Sequence, residues 1–197
     1  SRVLQDSPFE SVFVQPSAHD AGTALGAAYY IYNTMLGNDR NFVINHAYYG
    51  PEYSDEEIKA ELDLDKLKYT HHRDIAKKCA ELINDGKIIG WFQGRAEWGP
   101  RALGNRSILA NATSSEMQDI VNKYVKHRED FRPFAPAVLK ESSRDFFDFD
   151  HESPFMLFIC DVKPEKRKLI PAVTHTDGTA RVQTVDQKYN KLFYDVI

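Results

Sequence analysis

Cysteine is almost absent from this 197-residue chain: Cys79 and Cys160 are its two, with no CxxC and no metal-type spacing. That scarcity excludes a disulfide-stapled secreted scaffold and a thiolate metal site, and makes a reducing compartment, the cytoplasm, the expected location. Both thiols read as small buried hydrophobes. Long apolar runs are missing too. None approaches the roughly 20 residues that span a bilayer, so no membrane partner is expected. The opening Ser1-Arg2-Val3 carries no signal-peptide pattern and no initiating Met, and the stretch reads as an excised piece of a longer protein. Internal repeats and low-complexity linkers are also lacking.

What is present suffices for a core. Hydrophobic residues make up 42% and aromatics 12%, which excludes a disordered chain, and the length suits one large domain or one domain plus part of another. The net charge of −4 is spread unevenly: residues 1–86 carry 8 Lys/Arg against 14 Asp/Glu, 87–140 carry 9 against 5, and 141–197 carry 8 against 10. Only the middle third is net positive. A local basic region in an acidic chain suits a small anionic ligand. Nucleic-acid binding asks for a wide basic surface, so nucleic acid is not the expected partner.

That basic third opens on Ile88 to Phe92, an apolar run that reads as a buried strand. The 13 residues from Gly94 to Arg106 then hold three glycines, one proline, three arginines and one carboxylate. This composition predicts a turn-rich loop with exposed guanidinium groups beside accessible backbone amides, a loop suited to an anion. The ordinary alternative is a surface turn whose arginines pair with nearby acids.

Along the chain, Ser11 to Gln15 alternates like a strand ending at Pro16. Asp20 precedes the small-residue run Ala21 to Tyr32, which reads as a closely packed helix. Asp20 is either its N-cap or, with His19, a group projecting toward a metal or nucleotide. Residues 37–53 read as a connector. Ser54 to Glu57 forms a capping box, and Ile75, Cys79, Leu82 and Ile83 recur at helical spacing before a Gly86 stop. His71 and His72 are assigned to the surface. Ser107 to Asn111 predicts a short strand. Ser115 to Gln118 reads as a second capping box, for a helix with Met117, Ile120, Val121, Tyr124 and Val125 on one stripe. Pro133 and Pro136 hold Arg132 in an extended frame. Phe155 to Val162 predicts a central strand and Ala180 to Val185 another, separated by a polar turn, His175 to Thr179, that delivers Arg181 onto a strand start.

Three stretches, Gly94-Arg95-Ala96-Glu97-Trp98-Gly99-Pro100-Arg101-Ala102-Leu103-Gly104, Phe131-Arg132-Pro133-Phe134-Ala135-Pro136 and His175-Thr176-Asp177-Gly178-Thr179-Ala180-Arg181-Val182-Gln183-Thr184-Val185, together resemble the C-terminal part of the O-carbamoyltransferases typified by nodulation, tobramycin and cephamycin enzymes. The resemblance implies an α/β fold: residues 1–45 as the tail of an ASKHA-type carbamoyl-transfer domain, and 46–197 as a YrdC-like domain with a twisted mixed sheet and flanking helices. It also implies a further polar motif beyond Ile197.

The activity implied is formation of carbamoyladenylate from carbamoyl phosphate and ATP, with Mg2+, for transfer to a hydroxyl-bearing small-molecule acceptor by the upstream ASKHA-like domain of the same chain. On matched motif positions, Arg101, Arg132 and Arg181 are assigned to phosphate and carbamoyl oxygens, and Lys126 and Arg95 to further phosphate oxygens. Ser107 and Thr179 are hydroxyl donors, and His175 either touches the nucleotide or stabilises its turn. Glu97 is expected to orient an arginine by pairing with it. Asp20 matches a ligand of Fe2+ or another divalent metal held only by the intact ASKHA-like domain. Two other classes stay open at this point: a YrdC-like RNA-binding or RNA-modification module, which steep salt dependence would reveal, and a non-catalytic interaction fragment, which nucleotide would not protect against heat.

Overall fold

A computed structural model describes residues 2–197. A short helix, α1 (Arg2–Asp6), leads into irregular chain. The predicted strand at Ser11 to Gln15 does not form: alternation makes a strand only where an edge offers ladder partners, and none lies beside this run among the described residues. A 3-10 turn, Asp20–Gly22, continues into α2 (Thr23–Tyr29) and a π-helical turn, Tyr30–Met35. Its N-cap is His19, whose Nδ1 accepts the Ala21 amide hydrogen at 3.3 Å. Asp20 is the first helical residue and is exposed, so it does not cap. The close packing expected of this helix is also not seen. No residue from Thr23 to Met35 is buried, and Tyr30, Ile31, Tyr32 and Met35 face outward.

The connector is irregular as predicted, and it braces the loop after β1. Gly50 N–H donates to Ala96 O, Ala96 N–H to Pro51 O and Trp98 N–H to Ala47 O, at 2.9, 2.9 and 2.6 Å. The Ser54–Glu57 capping box is present on α3 (Asp55–Leu64). α4 (Ile75–Asn84) buries Ala76 and Cys79 and stops at Gly86, φ 78, with Lys87 N–H returning to Leu82 O at 2.9 Å. His71 and His72 are exposed.

Next come β1 (Ile89–Phe92) and β2 (Arg106–Leu109), an antiparallel pair in which Trp91 faces Ser107. The pair stands as a two-stranded sheet, so β1 is covered on one side only. Trp91 is buried against Cys79 and Val196, while Phe92 is 53% exposed, contrary to a fully buried strand. α5 (Met117–Ile120) continues into a π-helical turn, Val121–Lys126. The second capping box is not formed, because Gln118 Nε2 instead reaches Asp130 O and Arg132 O at 3.2 and 3.3 Å. Met117 and Val121 are buried, but Tyr124 is 64% exposed, so the apolar stripe is narrower than predicted.

The remaining elements are β3 (Ala137–Leu139), α6 (Ser143–Phe146), β4 (Phe147–Asp148), β5 (Phe158–Val162), β6 (Thr179–Val185) and α7 (Lys191–Val196). The four strands form one mixed sheet in the order β3-β6-β5-β4, with β3 parallel to β6 and the other pairs antiparallel. Val138, Phe147, Cys160, Val162, Ala180 and Val182 make its core. Burial pushes the Cys160 thiol up to about 12, an inert buried sulfhydryl as expected. The fold is therefore α/β, a four-stranded mixed sheet with flanking helices. No strand precedes Ile89 among the described residues, and none of their helices is long and apolar enough to cross a membrane. β2 and β3 each pair on one side only, and both line an apolar groove of about 460 Å³.

Candidate functional site

The glycine- and arginine-rich loop joins β1 to β2, and it is folded around one carboxylate. Glu97 Oε1 accepts the backbone N–H groups of Leu103, Asn105 and Arg106 at 2.7, 2.8 and 3.2 Å. Glu97 thus organises backbone amides rather than an arginine, because the turn aims three donors at one point and an ionised oxygen satisfies them best. Those amides are committed internally and are not open to a ligand. Gly104 likewise serves internal packing: its φ is 101, and a Cβ there would lie 2.2 Å from Phe193 Cδ1. An amide network fixes the rest. Gln93 Nε2 donates to Gly104 O, Asn105 Oδ1 and Asn190 Oδ1, and Gln183 Nε2 and Tyr48 OH both donate to Leu103 O. Burial raises the Tyr48 phenol to about 12, so it stays a donor.

This scaffold presents Arg101 to a cleft of about 360 Å³, shared with Ser107 of β2, Lys126 and Arg128 from the end of the π-helical turn, and Arg181 of β6. Apolar walls come from Met117, Val121, Phe134 and Val173. Four cations and no carboxylate line it. None of the four is ion-paired among the described residues. The Nε atoms of both Arg101 and Arg181 are buried without a hydrogen-bond partner. Burial, and then the neighbouring Arg101 charge, push Arg181 below its ordinary range. A guanidinium cannot escape by losing its proton, so the arrangement carries an electrostatic penalty that an anion relieves.

Of the nine residues assigned from sequence, Arg101, Arg181, Lys126 and Ser107 converge here. The Ser107 hydroxyl accepts the Gly104 amide hydrogen at 2.9 Å and keeps its own hydrogen for donation. Arg132 does not line the cleft: it is exposed and pairs with Glu129 at 3.0 Å, since the Pro133 frame turns it outward. Arg95 is exposed, 3.5 Å from Glu52. His175 and Thr179 stabilise their own turn, with Nδ1 and Oγ1 3.0 Å apart and Thr179 Oγ1 donating to Asp177 at 2.7 Å. Burial lowers the His175 pKa, Asp177 opposes it and Arg181 reinforces it. Asp20 stands exposed beside His19, and no group of three or more His, Cys, Asp or Glu that could hold a metal occurs among the described residues.

Residues 80–197, which include every residue lining the cleft, match a protein-family model described as Carbamoyltransferase C-terminus. The chain belongs to that family. Among its relatives, nodulation protein NolNO of Sinorhizobium fredii is 45% identical over 202 residues, covering 100% of this chain and 30% of the relative. Nodulation protein NolO of Bradyrhizobium diazoefficiens is 43% identical over 203 residues, 100% of this chain and 37% of the relative. The 3'-hydroxymethylcephem-O-carbamoyltransferase of Streptomyces clavuligerus is 39% identical over 185 residues, 94% of this chain and 34% of the relative. The chain spans about a third of the length of these curated relatives.

Sequence reasoning missed residues of this cleft and of the amide network behind it. Arg128 was visible two positions from Lys126, but helical spacing separates such neighbours. Gln93, Asn105, Gln183 and Asn190 carry no signal in the string, because their value lies in meeting one another across up to 97 residues.

Proposed function

We propose that the cleft binds the phosphates of ATP and carbamoyl phosphate and forms carbamoyladenylate, within a protein that transfers the carbamoyl group to a small-molecule hydroxyl. One observation carries the reading: four lining cations without a carboxylate, two of them with buried, unpartnered Nε donors. Family membership and the activity for which the cephem relative is named favour carbamoyl chemistry over other anion binding. On this reading residues 46–197 act as a YrdC-like adenylating unit, and 1–45 as the tail of an ASKHA-like domain. The outward apolar side chains of Tyr30 to Met35 suit an element that packs on such a domain.

Water displaces phosphate from carbamoyl phosphate to give carbamate. A carbamate oxygen then attacks the ATP α-phosphorus, the bond to the bridging oxygen breaks, and the electron pair leaves on pyrophosphate. Negative charge accumulates on the reacting phosphoryl group and the leaving group, so fixed positive groups do most of the work. Arg101 and Arg181 are held ready for that charge, Lys126 adds a mobile one, and Ser107 offers a hydroxyl hydrogen. Arg132 is recruitable, since an exposed pair like that with Glu129 contributes under about 1 kcal/mol. Arg95, His175 and Thr179 lie outside the cleft and have supporting roles. The cleft lining offers magnesium no carboxylate, so a Mg2+ arriving with ATP would be held there mainly by nucleotide oxygens and water. The described residues likewise do not suffice for Fe2+, since Asp20 belongs to no group of three or more candidate ligands among them.

At a hundredfold excess over its dissociation constant, ATP or pyrophosphate should stabilise the chain by about 2.7 kcal/mol. That raises the melting temperature by about 5–10 °C at this size. Arg101→Ala should abolish the rise and, in the full-length protein, pyrophosphate release. A variant that melts and turns over like its parent would remove the reading.

A further inference from the structure

Lys126 and Arg128 lie two residues apart, a spacing that in continuous helix sends side chains to different sides. Both nevertheless line the cleft. His127 is the reason: it ends the π-helical turn in the left-handed conformation, φ 48 and ψ 50, and its amide and that of Arg128 both fold back onto Asn122 O. That conformation is disfavoured for a residue with a Cβ. Here it places a second cation on one wall.

Arg128 is also held in place by its neighbours. Its Nε donates to Asn122 Oδ1 at 2.7 Å, and its guanidinium lies 4.7 Å from the Phe134 ring centroid. Asn122 is fully buried, its own amide nitrogen donating to Asp130 O and Arg132 O at 3.0 and 2.9 Å. One edge and one face of the guanidinium are thereby committed to the protein. Its two terminal nitrogens have no protein acceptor among the described residues, and the adjacent Glu129 is engaged by Arg132 instead. A fork fixed at its base, with its tines free beside Arg101, Arg181 and Lys126, is preorganised for a pair of anionic oxygens.

We propose that Arg128 is a further phosphate-binding residue of the cleft and that Asn122 is its positioning residue. This rests on the reading of the cleft as an anion site. The chain would be titrated calorimetrically with pyrophosphate and, separately, with inorganic phosphate, alongside Arg128→Lys, which keeps the charge but loses the fork, and Arg101→Ala. Arg128→Lys should weaken binding about tenfold or more. Loss mainly for pyrophosphate assigns Arg128 to the nucleotide, and loss mainly for phosphate assigns it to carbamoyl phosphate. In the parent, the Arg128 Nε–H resonance should exchange slowly with water and shift on ligand addition. Asn122→Ser should speed that exchange and weaken binding. Unchanged affinity in Arg128→Lys, with binding lost in Arg101→Ala, overturns this proposal and leaves the site standing. Unchanged exchange in Asn122→Ser removes its positioning role. A parent chain that binds neither anion overturns both readings.

Discussion

Arginine keeps its proton at any pH a protein survives, so setting two guanidinium groups together in a partly buried cleft commits the fold to an anionic partner. Arg101 and Arg181 are such a pair, and the charge of Arg181 reaches the neighbouring His175. His175 is held below its ordinary pKa, so it folds neutral, and its stabilising contribution is complete above about pH 6.5. Falling pH through the depressed folded value removes that contribution. NMR titration of His175 should therefore give a midpoint below that of an unfolded histidine, and Arg181→Ala should move it upward. A midpoint that ignores Arg181 would contradict the geometry. At this scale the sequence was informative about cations and poor about their restraints. The family resemblance assigned Arg101, Lys126 and Arg181 to one ligand, and all three line one cleft. Glu97, expected to pair with an arginine, holds backbone amides instead, because a string of letters does not show which amides turn inward.

Elements capped by their own neighbours were readable, and those depending on distant partners were not. Ser54 and Glu57 satisfy each other within a single turn, so α3 follows from four letters. Ser115 and Gln118 have the same spacing, yet carbonyls of Asp130 and Arg132 capture Gln118 and the box never closes. β5 and β6 were legible from their apolar runs, whereas Ser11 to Gln15 had the pattern and no edge to join. The β1–β2 loop is the element whose shape matters most for the site. Glu97→Gln keeps the side chain's size but replaces a charged acceptor of three amides with a neutral one. It should cost about 2 kcal/mol. A fall of about 4–8 °C in melting temperature would accompany it, together with weaker pyrophosphate binding because Arg101 rides on the same loop. Undiminished stability would mean that the carboxylate does not hold the turn.

On the scale of the whole chain, an α/β fold was legible because the apolar runs of β5 and β6 and the amphipathic α4 announce their types. The break into a two-stranded and a four-stranded sheet was not, since pairing depends on contacts between remote segments. Strand margins that lack a neighbour act as templates for any extended peptide. The outer sides of β2 and β3 are of this kind, beside greasy walls and with Ile108 40% exposed. In concentrated solution the 197-residue chain should consequently cluster, and sedimentation velocity should show heavier species growing with concentration. Ile108→Lys, which plants a hydrated ammonium on that rim, should return the boundary to a single slow species.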